Sequence, residues 1–188
     1  MNLSSVFSQL LVIATALLLA PLLLGWVNQW RAWLQNRSGP GLMQPYRMLH
    51  KLFNKESVMA QTASPLFRFA PYAIFGCLLL ASAIIPTLST DLPLANAADA
   101  IALVGLFALA RVFIALASMD IGTAFGTMGA RREMLVGFLA EPALLTVVFV
   151  ASFIGGSTAL TTIVESVAHR EFAIYPSLVF AGIAFTLV

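Results

Sequence analysis

Apolar residues fill this chain in long runs broken by short polar clusters. The pattern has neither the two-residue alternation of a half-buried strand nor the single apolar stripe of a water-facing helix. A bilayer core about 30 Å thick is crossed by about 20 helical residues, and five segments meet that length. Residues 3–30 carry no Asp, Glu, Lys or Arg. With no basic residue among Met1–Ser4, and a run too long for the core of a signal peptide, they read as a retained helix. The next spans are expected at 69–90, with Pro71 in the first turn where its missing N–H costs little, and at 100–119, interrupted by Arg111. A fourth is expected at 134–154, containing Glu141 and ending at Gly155-Gly156, and a fifth at 172–188. The fold class is therefore an all-α polytopic bundle of about five helices in a single membrane domain. The fifth span runs to Val188 without a polar or basic stop, which reads as the N-terminal part of a longer protein.

Composition sharpens this picture. Of 188 residues, 60% are hydrophobic and 10% charged, with a mean hydropathy of +0.94, whereas a soluble domain carries roughly 25% charged residues. A soluble enzyme, a disordered tail and a nucleic-acid binder are excluded, the last also because a net charge of +2 makes no polyanion footprint. One cysteine, Cys77, and two histidines, His50 and His169, supply no zinc or iron-sulfur ligand set. Any redox metal is expected in a partner.

Charge placement predicts orientation. Arg31, Arg37, Arg47, Lys51, Lys55 and Arg68 fall in residues 31–68, and Arg131 and Arg132 in residues 120–133, so eight of the ten basic residues occupy two alternate loops. The other two loops, 89–99 and 155–171, hold only Arg170. By the positive-inside rule, loops one and three are cytoplasmic and the N-terminus is outside.

Loop one contains Gly and Pro from Arg37 to Pro45, then a helix whose apolar arc (Tyr46, Leu49, Leu52, Phe53) opposes Arg47, His50, Lys51, Asn54 and Lys55. Two readings stand: an interfacial helix on anionic headgroups, or a docking surface for a cytoplasmic partner, to which the rigid Arg37-Gly39-Pro40 turn adds weight. Loop three, 120–133, is rich in glycine and then charged, with Arg131, Arg132 and Glu133 at a helix entrance. It reads either as a plain turn carrying positive-inside charge or as a second docking element.

Charges inside a membrane carry the functional signal, because each costs at least about 3 kcal/mol near the bilayer centre. Arg111 precedes Asp120 by about 13 Å of helix, and Glu141 follows Glu133 by about 12 Å. Matched depth on consecutive helices lets them meet, either as an ion pair fixing helix packing or with Glu141 titrating beside water. Pro142 frees the Phe138 carbonyl next to Glu141.

The run Arg37-Ser38-Gly39-Pro40-Gly41-Leu42-Met43-Gln44-Pro45, followed by Lys51-Leu52-Phe53 and Lys55-Glu56, resembles the first cytoplasmic loop of the respiratory complex I subunit 1 family. The complex I branch usually has an asparagine and a short spacer between its Gly-Pro and Leu-Gln-Pro elements, absent here. That compact form, with Met119-Asp120-Ile121-Gly122, Gly129-Ala130-Arg131-Arg132-Glu133 and Leu139-Ala140-Glu141-Pro142, is similar to the branch in membrane-bound nickel-iron hydrogenases of the formate hydrogenlyase and hydrogenase-4 type. The resemblance implies a non-catalytic subunit of a prokaryotic inner membrane that anchors a redox arm and couples it to proton movement. It implies docking through loops one and three, where Arg37, Gly39, Pro40, Gln44, Pro45, Lys51, Lys55, Asp120, Arg131 and Arg132 are the expected residues, and it puts Glu141 on the family's intramembrane glutamate; with Arg111 at matched depth and Glu133 at the helix entrance, these three are the residues expected in proton transfer. Expected partners are peripheral hydrogenase-like large and small subunits, antiporter-like membrane subunits and the lipid bilayer. Iron-sulfur clusters and a nickel-iron centre are expected in those partners, with no cofactor in this chain. The alternatives are a quinone-site subunit of a complex I relative and a membrane scaffold without coupling.

Overall fold

A computed structural model describes residues 3–85, 99–169, 180 and 182–183. Among them are helices α1 (Leu3–Leu34), α2 (Gln44–Phe53), α3 (Pro65–Ile84), α4 (Ala100–Asp120), α5 (Ala124–Gly155) and α6 (Leu160–His169). The described residues form no strand; Asp99 and Ala159 make one isolated bridge. Among the described residues four helices are long and apolar enough to cross a membrane: Val6–Leu34, Pro65–Ile84, Ala100–Asp120 and Ala124–Phe153. The all-α polytopic fold is thereby observed. The expected span at 172–188 and most of the loop at 89–99, with Asp91, lie outside the described residues, as do Arg170 and Glu171.

The helix limits differ from the sequence expectation in instructive ways. Helix α3 starts at Pro65, not residue 69, because Ser64 caps it, its hydroxyl accepting from the Leu66 N–H at 3.2 Å. The proline of the first turn is thus Pro65, and Pro71 lies inside the helix. Helix α5 starts at Ala124, ten residues before the expected 134. Thr123 caps it by accepting from the Gly126 N–H at 3.2 Å, and a cap decides where a helix starts more directly than the first uncharged residue does. Arg131, Arg132 and Glu133 are therefore inside α5, and only residues 121–123 remain as a turn. Residues 160–169, read as loop, form α6.

The chain divides into two compact units, residues 10–59 and residues 1–9 with 60–188. In the larger unit α3 packs on α4, α4 on α5, and α5 on α6. Apart from Gln9, whose amide donates to the Ala83 carbonyl at 3.3 Å, the buried side chains among its described residues are small: Ala70, Cys77, Ala81, Ala83, Ala100, Val104, Ala110, Ala115, Ala130 and Ala140. Phe75, Leu135, Phe138 and Phe153 are exposed. In lipid that arrangement is the stable one, since lipid tails solvate large apolar groups and small residues let helix backbones approach.

In the smaller unit, α1 ends with Asn36 at φ 54°, a left-handed conformation that asparagine tolerates better than most residues. The Arg37 N–H bonds the Ala32 carbonyl at 2.9 Å and the Asn36 N–H bonds the Trp33 carbonyl at 2.9 Å, closing a Schellman turn. The chain then runs back along α1. Gly39 lies against Gln29 and Leu42 against Gly25, and the Tyr46 hydroxyl donates to the Leu18 carbonyl.

Candidate functional site

Helices α4 and α5 meet through a turn that leaves almost no space between them. Gly122 adopts φ +73°, and its N–H bonds the Met119 carbonyl at 3.0 Å. A Cβ on Gly126 would lie 2.6 Å from the Ser118 carbonyl oxygen, so only glycine permits this approach. The turn is held from outside as well. Asp120, at the end of α4, accepts from the Ser64 N–H at 2.8 Å and the Ser64 hydroxyl at 2.6 Å, placing a carboxylate at the N-terminus of α3, where the helix dipole favours it. Thr62 donates its hydroxyl to the Ile121 carbonyl at 3.3 Å.

Above the turn the seam opens into a cleft of about 160 Å³ lined by Arg111, Val112, Ala115, Glu133, Met134, Gly137, Phe138 and Glu141. On α5, Glu133, Gly137 and Glu141 are spaced by four residues and share one face. The Cδ of Arg111 lies 4.0 Å from where a Gly137 Cβ would sit. The guanidinium stem of α4 therefore crosses α5 at Gly137, with one glutamate about one helical turn to either side. Arg111 and Glu141 are half-buried and Glu133 is exposed. Among the described residues no ion pair joins Arg111 to either glutamate; the three charges share a cleft that has room for water. A second cleft of about 300 Å³, lined by Ser118, Phe125, Gly126, Gly129 and Glu133 among others, meets the first at Ala115 and Glu133. The two clefts together extend from the Gly126 turn to Glu141, a mostly apolar lining in which Ser118, Arg111, Glu133 and Glu141 are the polar side chains.

All three residues expected in proton transfer, Arg111, Glu133 and Glu141, come together here. Gly137 was missed, although the Glu-x3-Gly-x3-Glu spacing marks a helix face open to a large side chain from a neighbour. Ser64 and Thr62 were missed too; Ser64-Pro65 at the head of an apolar run is a capping signal.

The expected docking residues sort by environment. Asp120 ties α3 to α4 as described. Gly39 lies where a Cβ would meet the Gln29 Oε1 at 2.7 Å, and Pro45 is in the first turn of α2, so both have local structural work. Pro40 is half-buried, while Arg37, Gln44, Lys51, Lys55, Arg131 and Arg132 are exposed. Among the described residues, His, Cys, Asp and Glu do not gather in groups of three or more around a common point.

A bundle of membrane-length helices with small buried residues defines a multi-pass membrane protein, and Arg111, Glu133 and Glu141 line one of its interhelical clefts. The chain belongs to the family described as NADH dehydrogenase, which it matches over residues 7–188. It is 40% identical to formate hydrogenlyase subunit 4 of Escherichia coli K12 over 150 residues, 80% of this chain and 49% of that protein. It is 38% identical to hydrogenase-4 component C of the same organism over 152 residues, 81% of this chain and 48% of that protein. The chain thus spans about half the length of these relatives. Its fold matches a chain in the structure of the membrane-bound sulfane sulfur reductase, an archaeal respiratory membrane complex, with a TM-score of 0.82, 24% identity, and coverage of 98% of this chain and 61% of that one.

Proposed function

We propose that this chain is a non-catalytic anchor and ion-coupling subunit of an energy-converting, membrane-bound nickel-iron hydrogenase in a prokaryotic inner membrane. The observation that carries the proposal is the α4–α5 cleft, where Arg111 faces Gly137 between Glu133 and Glu141. A carboxylate facing water inside a bilayer exchanges a proton with little movement, and a nearby fixed guanidinium biases that exchange electrostatically. Glu133 at the exposed end takes up the proton and Glu141 holds it deeper. Iron-sulfur clusters and the nickel-iron centre belong to peripheral subunits, docked through Arg37 and through Arg131 and Arg132 on α5. The positive-inside distribution supports a cytoplasmic position for these residues and an N-terminus on the opposite side.

The test is Glu141→Gln in the assembled complex, alone and combined with Arg111→Gln. Washed membranes should retain the peripheral subunits while hydrogen evolution coupled to proton uptake falls by on the order of a hundredfold. The double variant should assemble and stay inactive. Restored activity in the double variant would reduce the site to a packing element. Quinone reduction in place of hydrogen evolution would assign the chain to the quinone-site reading.

A further inference from the structure

Helix α1 runs from Leu3 to Leu34 with Pro21 inside it. Proline has no N–H, so the Leu17 carbonyl loses its helical partner, and the ring presses on that carbonyl and bends the helix. In water, solvent would cover the gap. Here residues 17–24 are all apolar and residues 17–20 are exposed, so the gap faces lipid, where a freed carbonyl is costly unless a side chain reaches it. The nearest hydroxyl on α1, that of Thr15, is already spent on the Val12 carbonyl at 2.9 Å.

A donor arrives from 28 residues along the chain: Tyr46 gives its hydroxyl to the Leu18 carbonyl, the acceptor next to the one that Pro21 frees. The segment that carries Tyr46 follows the proline side of α1, because Leu18, Pro21, Gly25 and Gln29 recur at helical spacing on one face. Its contacts straddle the proline. Leu42 meets Gly25 and Gly39 meets Gln29 beyond Pro21, whereas Tyr46 bonds to Leu18 before it. The start of α1 is held separately, since the buried Gln9 amide donates to the Ala83 carbonyl at 3.3 Å. Helix α1 therefore has a fixed beginning, a bend point about 18 Å further on, and a splint laid across that point.

We propose that Pro21 is a hinge in α1 and that Tyr46 is the latch that sets it. While the Tyr46 hydroxyl holds the Leu18 carbonyl, the return segment spans the hinge and the bend of α1 is fixed. When that bond opens, the half of α1 beyond Pro21 swings and carries loop one with it. Whatever engages residues 37–46 thus acts on the angle of a membrane-length helix, and the angle of that helix in turn sets how loop one is presented.

The experiment measures distances between nitroxide pairs in the full chain, held in phospholipid nanodiscs in a Cys77→Ser background. One pair is placed by Leu34→Cys with Val136→Cys, the other by Phe7→Cys with Val136→Cys, all at exposed positions. Residue 34 lies about 20 Å beyond Pro21, so a change of about 20° at the hinge moves it by about 7 Å. Tyr46→Phe, which removes only the hydroxyl, should widen the 34–136 distribution by about that amount and leave the 7–136 distribution as it was. Adding Pro21→Ala, which restores an N–H for the Leu17 carbonyl, should narrow the 34–136 distribution again; Pro21→Leu serves the same end if the alanine variant inserts poorly. No widening on Tyr46→Phe, or widening that survives replacement of the proline, would overturn the proposal. Equal widening of the 7–136 pair would also overturn it, by showing that the whole bundle had loosened.

Discussion

The α4–α5 seam and the α1–α2 hairpin solve the same problem, holding polar backbone and charge beside lipid, by different means. In the seam, Ala110, Ala115, Ala130 and Ala140 are buried, two long helices approach through Gly126, and the charges face a shared cleft. In the hairpin, one long helix with Leu18, Leu23 and Trp26 exposed is joined by a returning segment of irregular backbone at Gly25, Gly39 and Tyr46. The seam gains its stability from close packing of small residues, which lose it as soon as a side chain is added. The hairpin gains its shape from a few point contacts, so losing one frees a segment without unmaking a core. The two regions differ accordingly in what they present: the seam gathers Arg111, Glu133 and Glu141 around one cleft, and the hairpin presents an exposed helix.

The comparison breaks first at Gly126. Replacing it with valine puts a branched side chain where a Cβ already meets the Ser118 carbonyl at 2.6 Å. Overpacking typically costs about 1–3 kcal/mol, and a backbone carbonyl has less freedom to yield than a side chain. Gly126→Val should lower the yield of monodisperse protein in detergent and its thermal midpoint more than Gly25→Val, Ser64→Ala or Asp120→Asn. A midpoint equal to that of the unaltered chain would show that the turn relaxes.

Gly25→Val tests the hairpin in the same way, since its Cβ would collide with the Leu42 carbonyl oxygen. The expected outcome differs in kind: the thermal midpoint of the protein changes little, while trypsin cleavage after Arg37 and Arg47 in membrane vesicles accelerates as the return segment detaches. A large midpoint loss with unchanged cleavage would mean that the hairpin is as cooperative as the seam.

The smallest effect is expected at Asp120→Asn. The amide keeps the volume and one acceptor for Ser64 but removes the charge at the head of α3, which is worth about 0.3–1 kcal/mol with its dipole. Ser64→Ala should cost about 1 kcal/mol through the lost cap. The double variant should cost less than the two added together, because both remove one shared contact. Strict additivity by thermal unfolding in detergent would dissolve the proposed tie.

Hydropathy alone determined that this chain is an all-α membrane bundle, and where four of its long helices lie, because a lipid solvent forces backbone hydrogen bonds to be satisfied within each segment. It also located Arg111 and Glu141 inside those segments, since a charge interrupts an apolar run visibly. The amphipathic α2 was legible from its 100° periodicity. What the sequence misjudged was local. The start of α5 at Ala124 was hidden because Arg131, Arg132 and Glu133 look like a loop, whereas the Thr123 cap and the small residues after it already sustain a helix. Only the tertiary structure decided that Glu133 joins Arg111 and Glu141 in one cleft, that Gly137 makes room for Arg111, and that Asp120 is spent on Ser64. It alone showed that the loop after α1 turns back along that helix. Periodicity reports which face of a helix is apolar, but the partner that each face meets is set by contacts between residues far apart in the chain, and those exist only once the helices have packed.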